Sequence, residues 1–190
     1  MFCSRNRRSP RQFAGEQATR SDFQRIFSED MAGLHLLAYL LTADHQLAEN
    51  VFVAGLEDVI DGNPVFRQWA RSWSQRAIVK RAIKAIAPSP RETVGGPLRM
   101  DPQTGIEELD AMALSLANLS TFQRFVFVLS VLEGYSNMEC AALLSCAPAE
   151  VIAAKAGALR SVTVYENRQP EIPQLLLASW KSLFTSTQLR

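Results

Sequence analysis

The sequence predicts an all-α fold: two small helical domains joined by a Pro/Gly-rich linker, the second domain carrying a helix-turn-helix. Three observations predict it. Apolar residues recur at helical spacing, as in Leu34, Leu37, Ala38 and Leu41 and again in Phe122, Val126, Leu129 and Leu132. Two capping boxes, Ser120-x-x-Gln123 and Ser136-x-x-Glu139, fall on either side of Gly134 and mark two helix starts around one helix end. Between the periodic halves, residues 87–106 (APSPRETVGGPLRMDPQTGI) are rich in proline and glycine and sustain no period.

With 190 residues, 47% of them hydrophobic and 21% charged, the chain has a globular composition and the length for one large or two small domains. No apolar run approaches the roughly 20 residues a spanning helix requires, and the N-terminus lacks the apolar core of a signal peptide, so a cytoplasmic protein without membrane insertion is expected. The three cysteines, Cys3, Cys140 and Cys146, have no metal-ligand spacing and are read as reduced thiols. The two histidines, His35 and His45, stand in no pattern suggesting a metal cage or a nucleophile and its base. There is no G-x-G-x-x-G after a strand and no G-K-[ST] loop. An enzyme, a metal centre and a cofactor are therefore not expected. The net charge of +1 conceals a segregation of sign along the chain.

In chain order, residues 1–20 carry Arg5, Arg7, Arg8, Arg11 and Arg20 against the single acid Glu16 and read as a basic, disordered arm. The first domain, residues 21–86, opens with Phe23, Ile26 and Phe27 and continues through Leu34 to Leu41. Asp44 is a candidate N-cap for a helix carrying Leu47, Val51, Ala54 and Val59, and Asp61-Gly62-Asn63-Pro64 is a strong turn signal. The acids Asp44, Glu49, Glu57, Asp58 and Asp61 gather here. Then the sign reverses.

Residues 66–84 contain Arg67, Arg71, Arg76, Lys80, Arg81 and Lys84 and no acid, interleaved with Phe66, Trp69 and Trp73. Arg76, Lys80 and Lys84 form one ridge on a helix, and Trp69 and Trp73 are neighbours on its surface. Cations follow a phosphate backbone while rings stack on unpaired bases, so this pattern suits single-stranded nucleic acid. The alternative is a solvated basic face over tryptophans turned into the core.

The second domain, residues 107–165, contains the capped helices. Ala141, Leu144 and Val151 are its apolar anchors, and Pro148 occupies the first turn of a helix expected to run to about residue 164. A tail, residues 166–190, holds Leu175, Leu176, Leu177, Trp180, Leu183 and Phe184 and is expected to form an amphipathic helix that docks on its own domain or on a partner. The helix-turn-helix itself is chiefly a device for presenting a short helix to the major groove of DNA.

At residue level the chain resembles the extracytoplasmic-function class of RNA polymerase sigma factors from Ser21 to Val164. Leu119, Gln123-Arg124, Val126-Phe127, Leu132-Glu133-Gly134-Tyr135-Ser136, Glu139, Ala141, Leu143-Leu144 and Val151 follow that family's L-x-x-x-Q-R-x-V-F…L-E-G-Y-S-x-x-E-I-A-x-L-L-G…V pattern without a gap. In the first domain Leu37, Ala38, Leu41-Thr42, Asp44 and Ala48-Glu49 resemble its opening helices, and Phe66 with Trp69 its F-x-x-W. The resemblance implies a dissociable subunit that joins core RNA polymerase and directs transcription initiation at promoter DNA, with an anti-sigma factor as a further partner. It implies that Asp44, Glu49, Asn50 and Val53 contact polymerase. Arg67, Trp69, Arg71, Trp73, Arg76, Lys80, Arg81 and Lys84 would meet the melted downstream element, and Ser136, Glu150, Val151, Lys155 and Arg160 the upstream one.

Departures from the family fall on polar contact positions. Where its recognition helix reads T-V-K-S-R-L-x-R-A, this chain has Glu150-Val151-Ile152-Ala153-Ala154-Lys155-Ala156-Gly157-Ala158, which leaves Ala154 and Gly157 at the two arginine positions. Arginine supplies the commonest base contact, at about 1–3 kcal/mol, so weak DNA binding by this helix is expected. Ser145 stands at the turn glycine, and Asn50 and Val53 replace an acid and a glutamine. After the tryptophan, Arg76 and Lys80 replace an asparagine and an aspartate. A second reading follows: a sigma-like interaction module that binds polymerase or a regulator without direct DNA readout. A dimeric helix-turn-helix repressor or activator ranks below both, because it leaves the first domain without a role.

Overall fold

The computed structural model describes residues 16–91, 116 and 118–166, with side chains to residue 162. Thr19 opens α1 (Arg20–Glu29) with a full capping box: its hydroxyl accepts from the Asp22 N–H, and the Asp22 carboxylate accepts from the Thr19 N–H at 2.9 Å. Phe23, Ile26 and Phe27 fill its inner face. In α2 (Met31–Thr42), reading MAGLHLLAYLLT, every residue from Leu37 to Thr42 is buried. A helix apolar nearly all round belongs at the centre of a bundle. Leu34, Leu37, Leu40 and Leu41 have no exposure, and each contributes roughly 1.5–3 kcal/mol of hydrophobic burial.

Asp44 caps α3 (His45–Ile60), accepting from the Leu47 N–H at 2.7 Å. The helix turns Ala48, Val51, Gly55 and Val59 inward. Gly55 lies close against the next helix: a Cβ there would lie 2.6 Å from Ile78 Cδ1. After the Asp61–Pro64 turn, the chain runs back beside its own beginning, with Ala18 N–H donating to the Val65 carbonyl and Arg67 N–H to the Glu16 carbonyl, both at 2.8 Å. Residues 16–19, which the sequence assigns to the basic arm, are therefore fastened to the helical body. A 3-10 turn (Arg67–Trp69) leads into α4 (Ala70–Ile86), which buries Ala70, Ser74, Ala77, Ile78, Val79 and Ala82.

Ser120 and Gln123 form the expected capping box on α5 (Thr121–Phe127), which passes without a break into a π-helical turn (Val128–Leu132). Gly134 then takes φ +74°, the left-handed conformation that ends the helix cheaply. Ser136 and Glu139 cap α6 (Asn137–Leu144) as the spacing predicts, and Ser145 stands at the left-handed φ of +52° where a glycine was expected. Three residues later Pro148 opens α7 (Pro148–Glu166), bent by 108° from α6.

The fold is all-α. Among the described residues there is no strand, only an isolated bridge between Gln17 and Phe66. Helices α1–α4 pack mainly on one another, as do α5–α7. Contacts between α2 and α5 join the groups, and the buried side chains of both form one continuous apolar cluster. At that junction the Arg124 guanidinium, 1% exposed, donates from Nε to the Leu41 carbonyl at 3.2 Å, which supplies a partner for a group that would be costly to bury bare.

Candidate nucleic-acid interface

The start and the outer side of α4 carry the largest concentration of exposed rings and cations among the described residues. Trp69 is 54% exposed and Trp73 38%, so neither tryptophan is a core residue. Phe66 braces Trp69 edge-on, with centroids 5.1 Å apart. Lys80 Nζ lies over the Trp73 ring, 5.6 Å from its centre, a cation–π contact. Arg76, Lys80 and Lys84 are exposed and follow one another at i, i+4 and i+8. A shallow hollow beside Trp73 is bounded by Asp58, Gly62, Asn63, Arg76 and Lys80. A flat ring, an amide and two cations around one open concavity suit a stacked base with its phosphate.

The other three arginines of this stretch are engaged within the protein. Arg67 donates to Asp22 at 2.8 Å and to Glu16 at 2.7 Å. Arg71 donates to Asp30 at 2.9 Å. Arg81 forms a two-pronged pair with Asp58. Bonds from the Thr19 N–H, then from Arg67, hold the Asp22 carboxyl well below the usual carboxylate range. These pairs tie α1 and α2 to α4 and α3 to α4. Thus Arg67, Arg71 and Arg81, expected from their position in the run to face nucleic acid, are each engaged in ion pairs that fasten helices. Asp22, unremarked in the sequence, holds Arg67 and Arg25 while closing the α1 capping box with Thr19; the T-x-x-D capping spacing at Thr19 was the local signal for it.

On α3, Glu49, Asn50 and Val53 are exposed on the side opposite the buried Ala48, Val51, Gly55 and Val59. Val53 is 54% exposed, and Asp44 is exposed while also serving as the N-cap. Of the four residues expected to meet polymerase, Glu49, Asn50 and Val53 thus share the outer side of α3, and Asp44 stands at its start.

The α6–α7 unit redistributes the roles expected of its residues. Val151 has no exposure and anchors α7 in the core, so it is not available to DNA. Ser136 is engaged with Glu139, and the Glu150 carboxylate accepts from the Ala147 N–H at 2.8 Å, capping its own helix. Ala154 is 8% exposed, and a Cβ on Gly157 would lie 2.7 Å from the Gln123 side-chain nitrogen. Both positions therefore face α5 or the core, so the alanine and glycine there serve helix packing and are not vacant DNA contacts. Lys155 is half-buried and Arg160 exposed.

Where α5 ends, Glu133 is half-buried in a crease with Ser72, Gln75, Tyr135 and Glu139. Burial, reinforced by the charge of Asp30, pushes its carboxyl up to about 7. Burial also raises Asp30, against the pull of Arg71. Cys140 is buried and its thiol pushed up to about 11, chiefly by burial; Cys146 is raised for the same reason, and neither is in a disulfide. His45 stacks on Tyr39 at 4.2 Å and His35 sits edge-on to Phe52, so both imidazoles pack against rings. Among the described residues no cluster of His, Cys, Asp or Glu is arranged to hold a metal ion. No single helix among them is long and apolar enough to cross a membrane.

No family model matches the chain, and no curated protein matches it.

Proposed function

We propose that the protein is a sigma-like transcription-initiation factor that joins core RNA polymerase through the outer face of α3 and receives an opened DNA strand on α4. The observation that carries this reading is the exposed Trp73, backed by Lys80 and flanked by Arg76 and Lys84 on one helical surface. Stacking is worth about 1–3 kcal/mol per base, and the cations add a salt-dependent grip on the backbone. The resemblance of residues 119–151 to the extracytoplasmic-function sigma pattern supports polymerase as the partner. Core polymerase mixed with the purified chain tests it. A stable complex is expected, giving specific transcripts from the DNA upstream of the protein's own gene; absence of any complex with core defeats the reading.

A second reading is favoured for α6–α7 by one observation. The outer side of α7 presents Ala149, Ile152, Ala153, Ala156 and Leu159, with Arg160 exposed and Lys155 half-buried as its cations. Phosphate neutralisation dominates DNA affinity, and such a surface offers little of it. On this reading the second group of helices works by protein contact while α4 keeps its role. Promoter-fragment binding by the polymerase complex, measured against salt with and without Arg160→Ala and Lys155→Ala, separates the two: direct readout requires the salt slope to fall.

A further inference from the structure

The loop between α3 and α4 supplies Gly62 and Asn63 to the hollow beside Trp73, and Phe66 to the flank of Trp69. Among the described residues, the backbone hydrogen bonds that residues 62–67 make to a distant part of the chain are both with residues 16–18. Ala18 N–H donates to the Val65 carbonyl and Arg67 N–H to the Glu16 carbonyl, with Gln17 and Phe66 opposed between them as an antiparallel bridge. Side chains repeat the attachment. Arg67 donates to the Glu16 carboxylate at 2.7 Å and to Asp22, which also closes the Thr19 cap, while Arg20 pairs with Asp61 at 3.8 Å. The attachment therefore spans the loop from Asp61 to Arg67, where the 3-10 turn that ends in Trp69 begins. Ordering such a loop costs conformational entropy, and contacts at both of its ends offset that cost. The rest of the expected basic arm, residues 1–15, and the expected amphipathic tail, residues 167–190, lie outside the described residues.

We infer that residues 16–20 are a positioning strap for the nucleic-acid interface: they hold the α3–α4 loop so that Asn63 lines the Trp73 hollow and Phe66 braces Trp69. The inference rests on the function proposed for α4. The strap works through Arg67 and the loop, and its own Arg20 is paired with Asp61. It therefore acts on the shape of the site and not on the number of cations that meet phosphate.

Ala18→Pro removes the N–H that donates to Val65 and falls before the Thr19 cap, outside α1, whereas Ala18→Gly keeps that N–H. Hydrogen exchange of the full-length protein, read by mass spectrometry, should rise several-fold in peptides covering residues 61–69 of Ala18→Pro. Peptides from α2 and α5–α7 should be unchanged, and Ala18→Gly should match the parent. Affinity for a short single-stranded oligodeoxynucleotide, measured with the chain seated on core polymerase and compared with core alone, should fall several-fold in Ala18→Pro at an unchanged log–log salt slope. Glu16→Ala should also lower affinity, and Glu16→Gln, which still accepts from Arg67, should restore it. Removing an acid ordinarily favours DNA, so the loss in Glu16→Ala has the opposite sign to a purely electrostatic effect. A parent complex that binds the oligonucleotide no better than core alone overturns the function proposed for α4 and the strap's role with it. Parent binding that Ala18→Pro and Glu16→Ala both leave unchanged overturns the strap alone. So does a loss of affinity that comes with a lower slope, or with raised exchange throughout the protein in both variants.

Discussion

Replacing Glu133 by glutamine should change how the protein's stability depends on pH. The carboxyl sits in the crease where the π turn of α5 meets α4, with Asp30 adding like charge and Arg71 already engaged by Asp30. Arg76 acts on the neighbouring Tyr135 and Glu139. A carboxyl whose proton is held more tightly in the folded protein than in the unfolded chain favours folding below its ordinary value and loses that contribution as pH rises. The window here runs from 4.5 to about 7. At about 1.4 kcal/mol for each tenfold change in proton affinity, the loss approaches about 3 kcal/mol by pH 8. Urea unfolding at pH 5, 6, 7 and 8, followed by far-ultraviolet dichroism, measures it. Relative to the parent, Glu133→Gln should gain stability progressively between pH 5 and 8, by about 2–3 kcal/mol in all. Asp30 titrates in both proteins and cancels in the difference to first order. Parallel stability curves for the two proteins would refute the placement of Glu133 in a desolvated crease.

Further outcomes follow from the division of labour among the cations and from the packing of α7. Arg76→Ala and Lys80→Ala should weaken binding of single-stranded DNA by the polymerase-bound protein and lower its salt slope by about one unit each, without lowering the melting temperature. Arg67→Ala and Arg71→Ala should do the reverse, lowering the melting temperature with little change in the slope. Ser145→Gly relieves a left-handed residue at the end of α6 and should stabilise the protein by roughly 1 kcal/mol in urea unfolding. Ala154→Arg, which installs the residue typical of the sigma pattern, should destabilise by about 1–3 kcal/mol and fail to improve promoter binding, because the position is buried.

What could be read from the sequence was whatever a few adjacent residues determine. Asp44, Ser120-x-x-Gln123 and Ser136-x-x-Glu139 cap helices where their spacing says they should, because a cap is satisfied within one turn. Gly134 and Pro148 mark a stop and a start for equally local reasons. Spacing placed Trp69 and Trp73 side by side without saying whether they point in or out; that depends on where α1 and α3 lie against α4. Arg67 and Asp22 are 45 residues apart, so nothing in the basic run marked this arginine as structural and Lys80 as exposed beside Trp73. The register of α7 against α5 was likewise hidden. A motif alignment placed Ala154 and Gly157 toward DNA, whereas Gln123 and the core occupy that side. Residues 16–19 looked like tail because their partners, Val65 and Arg67, lie far along the chain.

The central claim is that the Trp73 face of α4 holds an unwound strand while the chain is seated on polymerase. Cross-linking of that strand to α4 tests it most directly, with core polymerase and a promoter fragment carrying photoreactive bases across the melted region. The account predicts a strand-specific cross-link to peptides spanning residues 69–84, lost in Trp73→Ala and in the double variant Arg76→Glu with Lys80→Glu, while both variants still co-purify with core. A cross-link that survives both variants, or one that maps to other helices in a complex that forms normally, would contradict it.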